Sequence, residues 1–393
     1  MKNYKYLIIG GGLAGDGATR GIREQDTEGS IGMISMEPDP PYMRPNLSKG
    51  LWKGRPVEKI WRNTEKRVTE LHLGRKATHL DPNKKIVRDD HGDEYTYEKL
   101  LIATGGTPNH LPFGNGNIIY YRDFQDYQHL RDLTEQGEHF VVIGGSFIGS
   151  ELAAALTIVG KKATMIFPGD AISENIFPTD LAHFLNDYYR QKGVEVLTGN
   201  TASSIQKEGK SIMVHTGSGR VIEADGVVAG IGIHPNLDLA REAGLRIDDG
   251  IVVNERLEAS IPGIYAAGDA ANFFHYVLGK RTRIEHEDNA VQMGKTAGRN
   301  MAGANETYAY APMFYSDLFD LGYEAVGEMS SKMETIADWQ EEPFKKGVVY
   351  YMDDGRVRGV LLWNVWEKVD AARTLMKEEG PFKEKDLKGK ITG

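Results

Sequence analysis

Gly10, Gly12 and Gly15 stand in the run IIGGGLAGDG, with Leu13 and Ala14 between the last two, and Glu37 follows 22 residues after Gly15. Apolar residues 6–9 lead into the glycines, small residues follow them, and a second apolar stretch at 32–36 ends at the acid. Strand, glycine turn, helix, strand and acid are the parts a dinucleotide needs. The glycines let the backbone approach a pyrophosphate, the helix N-terminus offers unpaired N–H groups and a positive dipole end, and the acid accepts from a ribose hydroxyl. The pattern returns 134 residues later, where residues 139–143 lead into Gly144, Gly145, Ser146, Phe147, Ile148 and Gly149, with Ser146 in the middle glycine's place. One such run is weak evidence, because glycine-rich strand–helix turns also arise for packing. Two, each in the same context, imply two dinucleotide-binding domains.

A second chemical feature is EPDPPYMRPNLSKGLW, residues 37–52, crowded with prolines and carrying Arg44 and Lys49. A loop of this kind, directly after a nucleotide-binding strand, is suited to be a lid or a platform for chemistry. Glu151, two residues past Gly149, opens the helix of the second nucleotide unit.

The elements that must position these residues follow from pattern. LLIATGG (100–106) predicts a buried strand ending at Thr104 and Gly105, GVVAGIGIHPN a strand ending in Gly230 and Gly232, and IPGIYAAGDAAN a strand running into Gly268 and Asp269. Leu181, Phe184, Leu185 and Tyr188 fall on one helical face, with Thr179 as predicted N-cap and Gly193 as stop. From residue 307 the pattern changes to strands, a DDG hairpin and a closing helix with Trp366, Val369, Ala372 and Met376 on its inner face. No internal repeat beyond the two nucleotide units is present.

Composition bounds the function. The 393 residues predict two or three domains at roughly 150 residues each. The 56 acidic residues exceed the 47 basic ones, giving a net charge of −9, which argues against nucleic acid as the main partner. There is no cysteine, hence no disulfide, no thiolate metal site and no redox dithiol. No apolar run approaches the ~18 residues of a membrane span. The opening MKNYKYLIIGGG enters a strand at once with no room for a signal peptide, and a cytoplasmic protein is expected.

The order GxGxxG, ATGG, second GxGxxG, GIGxxPN and GDAA resembles the two-dinucleotide flavoprotein reductases along essentially the whole chain. PYMRPNLSKGLW, the pair Glu285–His286 and MFYSD…GYEAVG are most similar to the apoptosis-inducing-factor branch, whose relatives include the NADH-dependent ferredoxin and rubredoxin reductases. The resemblance implies an α/β fold. A discontinuous FAD domain (1–112 and 236–306) would hold an inserted NADH domain (113–235), followed by a C-terminal α+β domain (307–393).

The resemblance also implies site roles. In related disulfide reductases the loop after the first ribose acid carries a redox cysteine pair. With no cysteine here, electrons must leave the flavin for an external acceptor. Arg44 is expected on the FAD diphosphate and Lys49 near the flavin's reactive nitrogen. Glu37 takes the adenosine ribose, and Ala77 meets the adenine through its backbone. Thr104, Gly105 and Arg122 lie at the flavin nucleotide, Asp269 at the ribityl chain, and Glu285 and His286 at the isoalloxazine. A Lys49–Glu151 pair is expected to cross the two domains. Phe147 would gate the nicotinamide pocket, with Glu324 and Asn364 on the nicotinamide side.

Two departures stand out. Tyr315 occupies a position usually held by tryptophan. In the second ribose site, Gly169 replaces an acid, Asp170 one step on is expected to bind the ribose through a shifted loop, and Asn175 is in a lysine's place. No arginine lies near to welcome a 2′-phosphate, so NADH is expected over NADPH.

Three outcomes compete: an electron-transfer enzyme serving ferredoxin, rubredoxin or a quinone, a slowly turning-over protein with an NADH-driven homodimer, and a peroxide-forming NADH oxidase.

Overall fold

The computed structural model describes residues 1–114 and 116–393. The chain forms two compact units. The first comprises Met1–Arg44, Pro56–Thr107 and His234–Pro312, and the second Pro45–Arg55, Pro108–Ile233 and Met313–Gly393.

The first unit is built on a sheet whose central strand is Lys2–Ile9. Its last four residues are all buried, as an interior parallel strand requires. It pairs in parallel with Ile31–Ile34 on one side and Glu94–Ile102 on the other, with Ile9 opposite both Ile34 and Ile102. Glu70–His72 extends one edge. Glu94–Ile102 pairs antiparallel with Ile86–Asp89 through its first half and parallel with Ile264–Ala266 through its second. The predicted second strand is shorter than 32–36 at its end, and Met36 is exposed.

Helices Leu13–Gln25 and Glu287–Met301 pack backbone against backbone. A Cβ added at Gly17, Gly21, Gly294 or Gly298 would fall 1.9–2.6 Å from a carbonyl oxygen of the facing helix. The small-residue helix thus serves packing as well as its N-terminus. Asp16, fully buried in that helix, accepts from Arg20, Arg62, Arg67 and Thr64, and so ties residues 62–67 to it.

The second unit holds a five-stranded parallel sheet in the order Glu195–Leu197, Lys162–Ile166, His139–Ile143, Gly226–Ala229, Ile119–Tyr120. An antiparallel five-stranded sheet follows, in the order Met313–Leu318, Leu321–Gly327, Arg356–Trp363, Gly347–Asp353, Glu334–Trp339. Its DDG hairpin turns on Asp354 (φ 50°) and Gly355 (φ 72°), both left-handed as the tight type I′ loop demands. Phe177 meets Tyr323 and Trp363 edge to face at 5.3 and 5.7 Å, packing the segment before helix Thr179–Gln191 onto the antiparallel sheet.

Two local expectations are corrected. Thr179 is the first residue of helix Thr179–Gln191, and Pro178 holds the cap position, because proline's fixed φ suits a helix entrance. Trp366 precedes helix Val369–Leu375 and is exposed; Ala372, Leu375 and Met376 are the buried residues there. Among the described residues, no helix is long and apolar enough to cross a membrane.

Candidate functional site

In the first unit, Gly10 follows the central strand at φ 122°, and a Cβ there would lie 2.0 Å from the Ala103 carbonyl oxygen. Gly12 caps helix Leu13–Gln25, and among the described residues no side chain is bonded to the helix's first N–H groups. A Cβ on Gly12 would meet nothing within 4 Å, so space lies open before the helix N-terminus. Leu13, Ala14 and Gly15 are buried behind it. Open space, free N–H groups and a positive dipole end fit a dinucleotide's pyrophosphate.

Glu37 and Arg44 form an ion pair. Tyr42 joins it: its hydroxyl donates to Glu37 Oε2 (2.6 Å) and accepts from Arg44 Nη1 (2.9 Å). Burial opposes the Arg44 charge, but Tyr42, Glu37 and Asp269 outweigh it and push the guanidinium pKa above its usual value. The arginine therefore lies within the field of both Glu37 and Asp269.

Asp269 sits in the tight turn Gly268–Ala270. His286 immediately precedes helix Glu287–Met301. Desolvation lowers its pKa to about 4, with only Asp269 pulling upward, so the ring is neutral at physiological pH. Glu285 points to Arg283 in an ion pair and is exposed. Thr104 Oγ1 donates to the Asn236 carbonyl at 2.8 Å, and Gly105's carbonyl accepts from Asn236 N–H at 2.9 Å. Ala77 opens the strand Ala77–Asp81 and is half-buried.

In the second unit, Gly144 repeats the Gly10 geometry at φ 121°, and Ser146 caps helix Phe147–Ile158 without a side-chain bond. Gly149 is buried, while Ser146 and Ile148 are exposed. Phe147 meets Phe314 edge to face at 5.8 Å.

Glu151 lies on this helix and is 3% exposed. Lys49 Nζ is 2.6 Å from Oε1, Ser316 Oγ also 2.6 Å from Oε1, and Ser48 Oγ 2.5 Å from Oε2. Lys49 also lies 5.2 Å from the centre of the Tyr315 ring. The expected pair exists, and both partners belong to the second compact unit. The cause is the anchoring of the loop. Trp52 Nε1 and the Tyr121 hydroxyl both donate to the Leu47 carbonyl, at 2.7 and 2.5 Å.

The remaining candidates of this unit are dispersed. Glu324 faces Tyr315 across the sheet. Its Oε2 has no protein partner among the described residues, and burial raises its pKa against a hydrogen bond from the Glu367 backbone. Asn364, just past the strand Arg356–Trp363, commits its amide to the protein, accepting from Gly322 N–H and donating to the Lys345 carbonyl, each at 2.8 Å. Gly232 adopts φ 87° and accepts from Asn109 N–H. Arg122 precedes helix Phe124–Gln136, its backbone N–H bonded to Asp126. Asp170 is exposed.

Sequence reading missed Tyr42, Asn236, Ser48 and Ser316. The two serines flank singled-out residues, in LSK and YSD, and adjacency was the available signal.

The family model described as pyridine nucleotide-disulphide oxidoreductase matches residues 4–294, and that described as apoptosis-inducing factor, mitochondrion-associated, C-term matches 297–342 and 337–378. Apoptosis-inducing factor 1, mitochondrial, of Dictyostelium discoideum is 33% identical over 96% of this chain and 79% of its own length. Monodehydroascorbate reductase 3 of Arabidopsis thaliana is 33% identical over 92% of this chain and 89% of its own. The covalent putidaredoxin reductase–putidaredoxin complex contains a chain that superposes with a TM-score of 0.89 at 28% identity, covering 97% of this chain and 94% of that one. The chain belongs to the pyridine nucleotide-disulphide oxidoreductase family, with an apoptosis-inducing-factor-type C-terminal part, and is an FAD-dependent NAD(P)H oxidoreductase.

Proposed function

We propose that the enzyme takes hydride from NADH and delivers the electrons to a small ferredoxin- or rubredoxin-type carrier or to a quinone, never to a disulfide. The observation that carries this reading is the loop at 45–55. The chain has no cysteine, and the segment that holds redox thiols in related disulfide reductases here presents Ser48 and Lys49, both bonded to Glu151. The solved complex of a similar reductase with putidaredoxin supports a small carrier protein as the partner.

Bound FAD supplies the hydride acceptor and lets a two-electron donor feed a one-electron acceptor. The chain's residues bind and orient. The Gly10–Gly15 turn and the adjoining helix end hold the diphosphate with Arg44, while Glu37 accepts from ribose. Thr104, Gly105, Arg122 and Ala77 fix the rest of the nucleotide. Asp269, Glu285 and neutral His286 bound the flavin end. Lys49, held by Glu151, keeps a positive charge where hydride arrives, and Phe147, Tyr315, Glu324 and Asn364 border the nicotinamide. The three-domain division at 1–112 with 236–306, 113–235 and 307–393 belongs to the same proposal.

The deciding experiment is anaerobic titration with NADH followed by timed reoxidation with ferredoxin, a quinone, monodehydroascorbate and oxygen. Fast reoxidation by a carrier protein or a quinone supports the proposal. Slow reoxidation by all of them, with a shift to dimer on NADH addition, replaces it with a redox-responsive assembly. Rapid peroxide formation replaces it with an oxidase.

A further inference from the structure

The two dinucleotide units place their acids by register. In the first, Glu37 stands three residues beyond the strand Ile31–Ile34. The matching strand of the second is Lys162–Ile166, and three residues beyond it stands Gly169, with no side chain. The space is not empty. A Cβ built on Gly169 would lie 2.1 Å from Glu174 Oε1 and 2.4 Å from Glu174 Cδ. A carboxylate five residues along the chain has been folded back into the position of the missing one.

This placement is built, not incidental. Ser173, just before Glu174, is buried and held at φ 56°, a left-handed conformation a non-glycine residue adopts only when its surroundings impose it. Its N–H donates to the Gly145 carbonyl at 2.8 Å, which ties the segment directly to the glycine turn. Its carbonyl accepts from Ile176 and Phe177 N–H at 2.9 and 3.1 Å. Glu174 Oε2 accepts from the N–H groups of Asp170 at 2.7 Å and Ala171 at 3.3 Å, which fixes the carboxylate's orientation. Among the described residues no protein donor reaches Oε1, which is left to accept from a ligand hydroxyl. Asp170, the acid nearest in sequence to the register position, has its backbone committed to Glu174 and to Asn186.

We propose that Glu174 is the ribose-binding, NADH-selecting acid of the second dinucleotide site, in place of a side chain at 169. The proposal rests on the NADH reading above and extends it to a residue. A carboxylate here accepts from the adenosine ribose hydroxyls and repels a 2′-phosphate by like charge.

The test is calorimetric binding of NAD⁺ and NADP⁺ to the FAD-loaded protein, with circular dichroism and melting to confirm folding. Glu174→Gln keeps a side-chain oxygen for the Asp170 N–H but removes the charge. It is expected to weaken NAD⁺ by about tenfold and to leave NADP⁺ unchanged or tighter. Asp170→Asn is expected to change NAD⁺ affinity by no more than about twofold. The double substitution Gly169→Glu with Glu174→Ala is expected to recover NAD⁺ binding lost in Glu174→Ala alone. Parent-like NAD⁺ affinity in both Glu174 variants, or a loss carried by Asp170→Asn instead, overturns the assignment. Equal affinity of the parent for NAD⁺ and NADP⁺ overturns the NADH preference, and the Glu174→Gln loss of NAD⁺ still decides the role of Glu174.

Discussion

Lys49 and Glu151, 102 residues apart in the chain, form a 2.6 Å ion pair whose carboxylate also accepts from Ser48 and Ser316. Three segments converge on one buried anion: the loop at 45–55, the helix of the second glycine turn and the first strand of the C-terminal sheet. A long lysine side chain is flexible when exposed. Here the pair and the Tyr315 ring restrict it to one place, which is what an electrostatic role in hydride transfer requires.

Lys49→Ala is therefore expected to slow the limiting rate of flavin reduction by about tenfold or more, with a smaller change in the NADH concentration at half-saturation. A contact made only in the transition state lowers the rate, whereas a ground-state contact raises the half-saturation point. Stopped-flow reduction under anaerobic conditions separates the two. Unchanged reduction in both Lys49→Ala and Glu151→Gln removes the pair from catalysis.

Glu151→Ala is expected to destabilise more than Lys49→Ala. It strands a poorly solvated ammonium and two hydroxyls at once, and losing one partner of a buried pair costs about 3–5 kcal/mol. Urea unfolding gives the difference. The double variant Lys49→Ala with Glu151→Ala should recover part of the loss, since the uncompensated charge is gone. A double variant no more stable than Glu151→Ala alone contradicts this account.

The purified protein is expected to be yellow, with flavin released by heat, and the first glycine turn should control this in two separable ways. Gly12→Ala adds a methyl group to open space, at a φ of −85° that alanine accepts. Folding should be unaffected to within about 1 kcal/mol while FAD affinity drops, because the methyl group occupies room needed by the pyrophosphate. Gly10→Ala sets a methyl group against the Ala103 backbone and should cost folding itself. If Gly12→Ala binds FAD as tightly as the parent, the open space does not hold the cofactor.

Much of this architecture was legible from periodicity and glycines. The buried strand before Gly10, the glycine turns and the DDG hairpin each have a local cause, so a short window suffices to find them. The convergences did not have one. Ser48 and Ser316 matter because separate segments deliver them to Glu151, and no periodicity marks a serine for that. Lys49 was visible through the resemblance, but its assignment to the second unit depended on Trp52 and Tyr121 anchoring the Leu47 carbonyl. Glu174 lay hidden for a similar reason. Register pointed to position 169, and only the folded loop, turned by a left-handed Ser173, brings an acid back to it.

His286 predicts a pH dependence. Its pKa is lowered to about 4 from an ordinary 6.5, chiefly by desolvation. Above pH 6.5 the ring is neutral in both folded and unfolded chains and contributes nothing. Between pH 6.5 and about 4 the unfolded chain takes up a proton that the folded chain refuses, so stability is lost as pH falls. The loss approaches roughly 3 kcal/mol at most. His286→Gln should flatten that part of the profile relative to the parent. Parallel urea midpoints for the two proteins from pH 7 to 4.5 contradict a neutral, desolvated His286.

Tyr315 predicts how the reduced enzyme lets go of its product. The ring lies beside Lys49, on the strand that also delivers Ser316 to Glu151, so it is positioned by the same cluster. A tyrosine offers less stacking area than the tryptophan usual in this position, and oxidised nicotinamide should leave more readily. Tyr315→Trp is expected to prolong the long-wavelength absorbance of the NADH-reduced protein and to slow its reoxidation by quinone, ferricyanide and air. Phe147, packed against Phe314 next in the strand, supplies the opposite check. Phe147→Ala should loosen the same region without adding area to it, so the two variants should move reoxidation in opposite directions. Equal reoxidation rates in Tyr315→Trp and the parent mean the ring does not control the site. Glutathione-disulfide reductase activity in the parent is expected to be nil, because a chain without cysteine has no thiol relay, and any measurable rate would overturn the acceptor assignment.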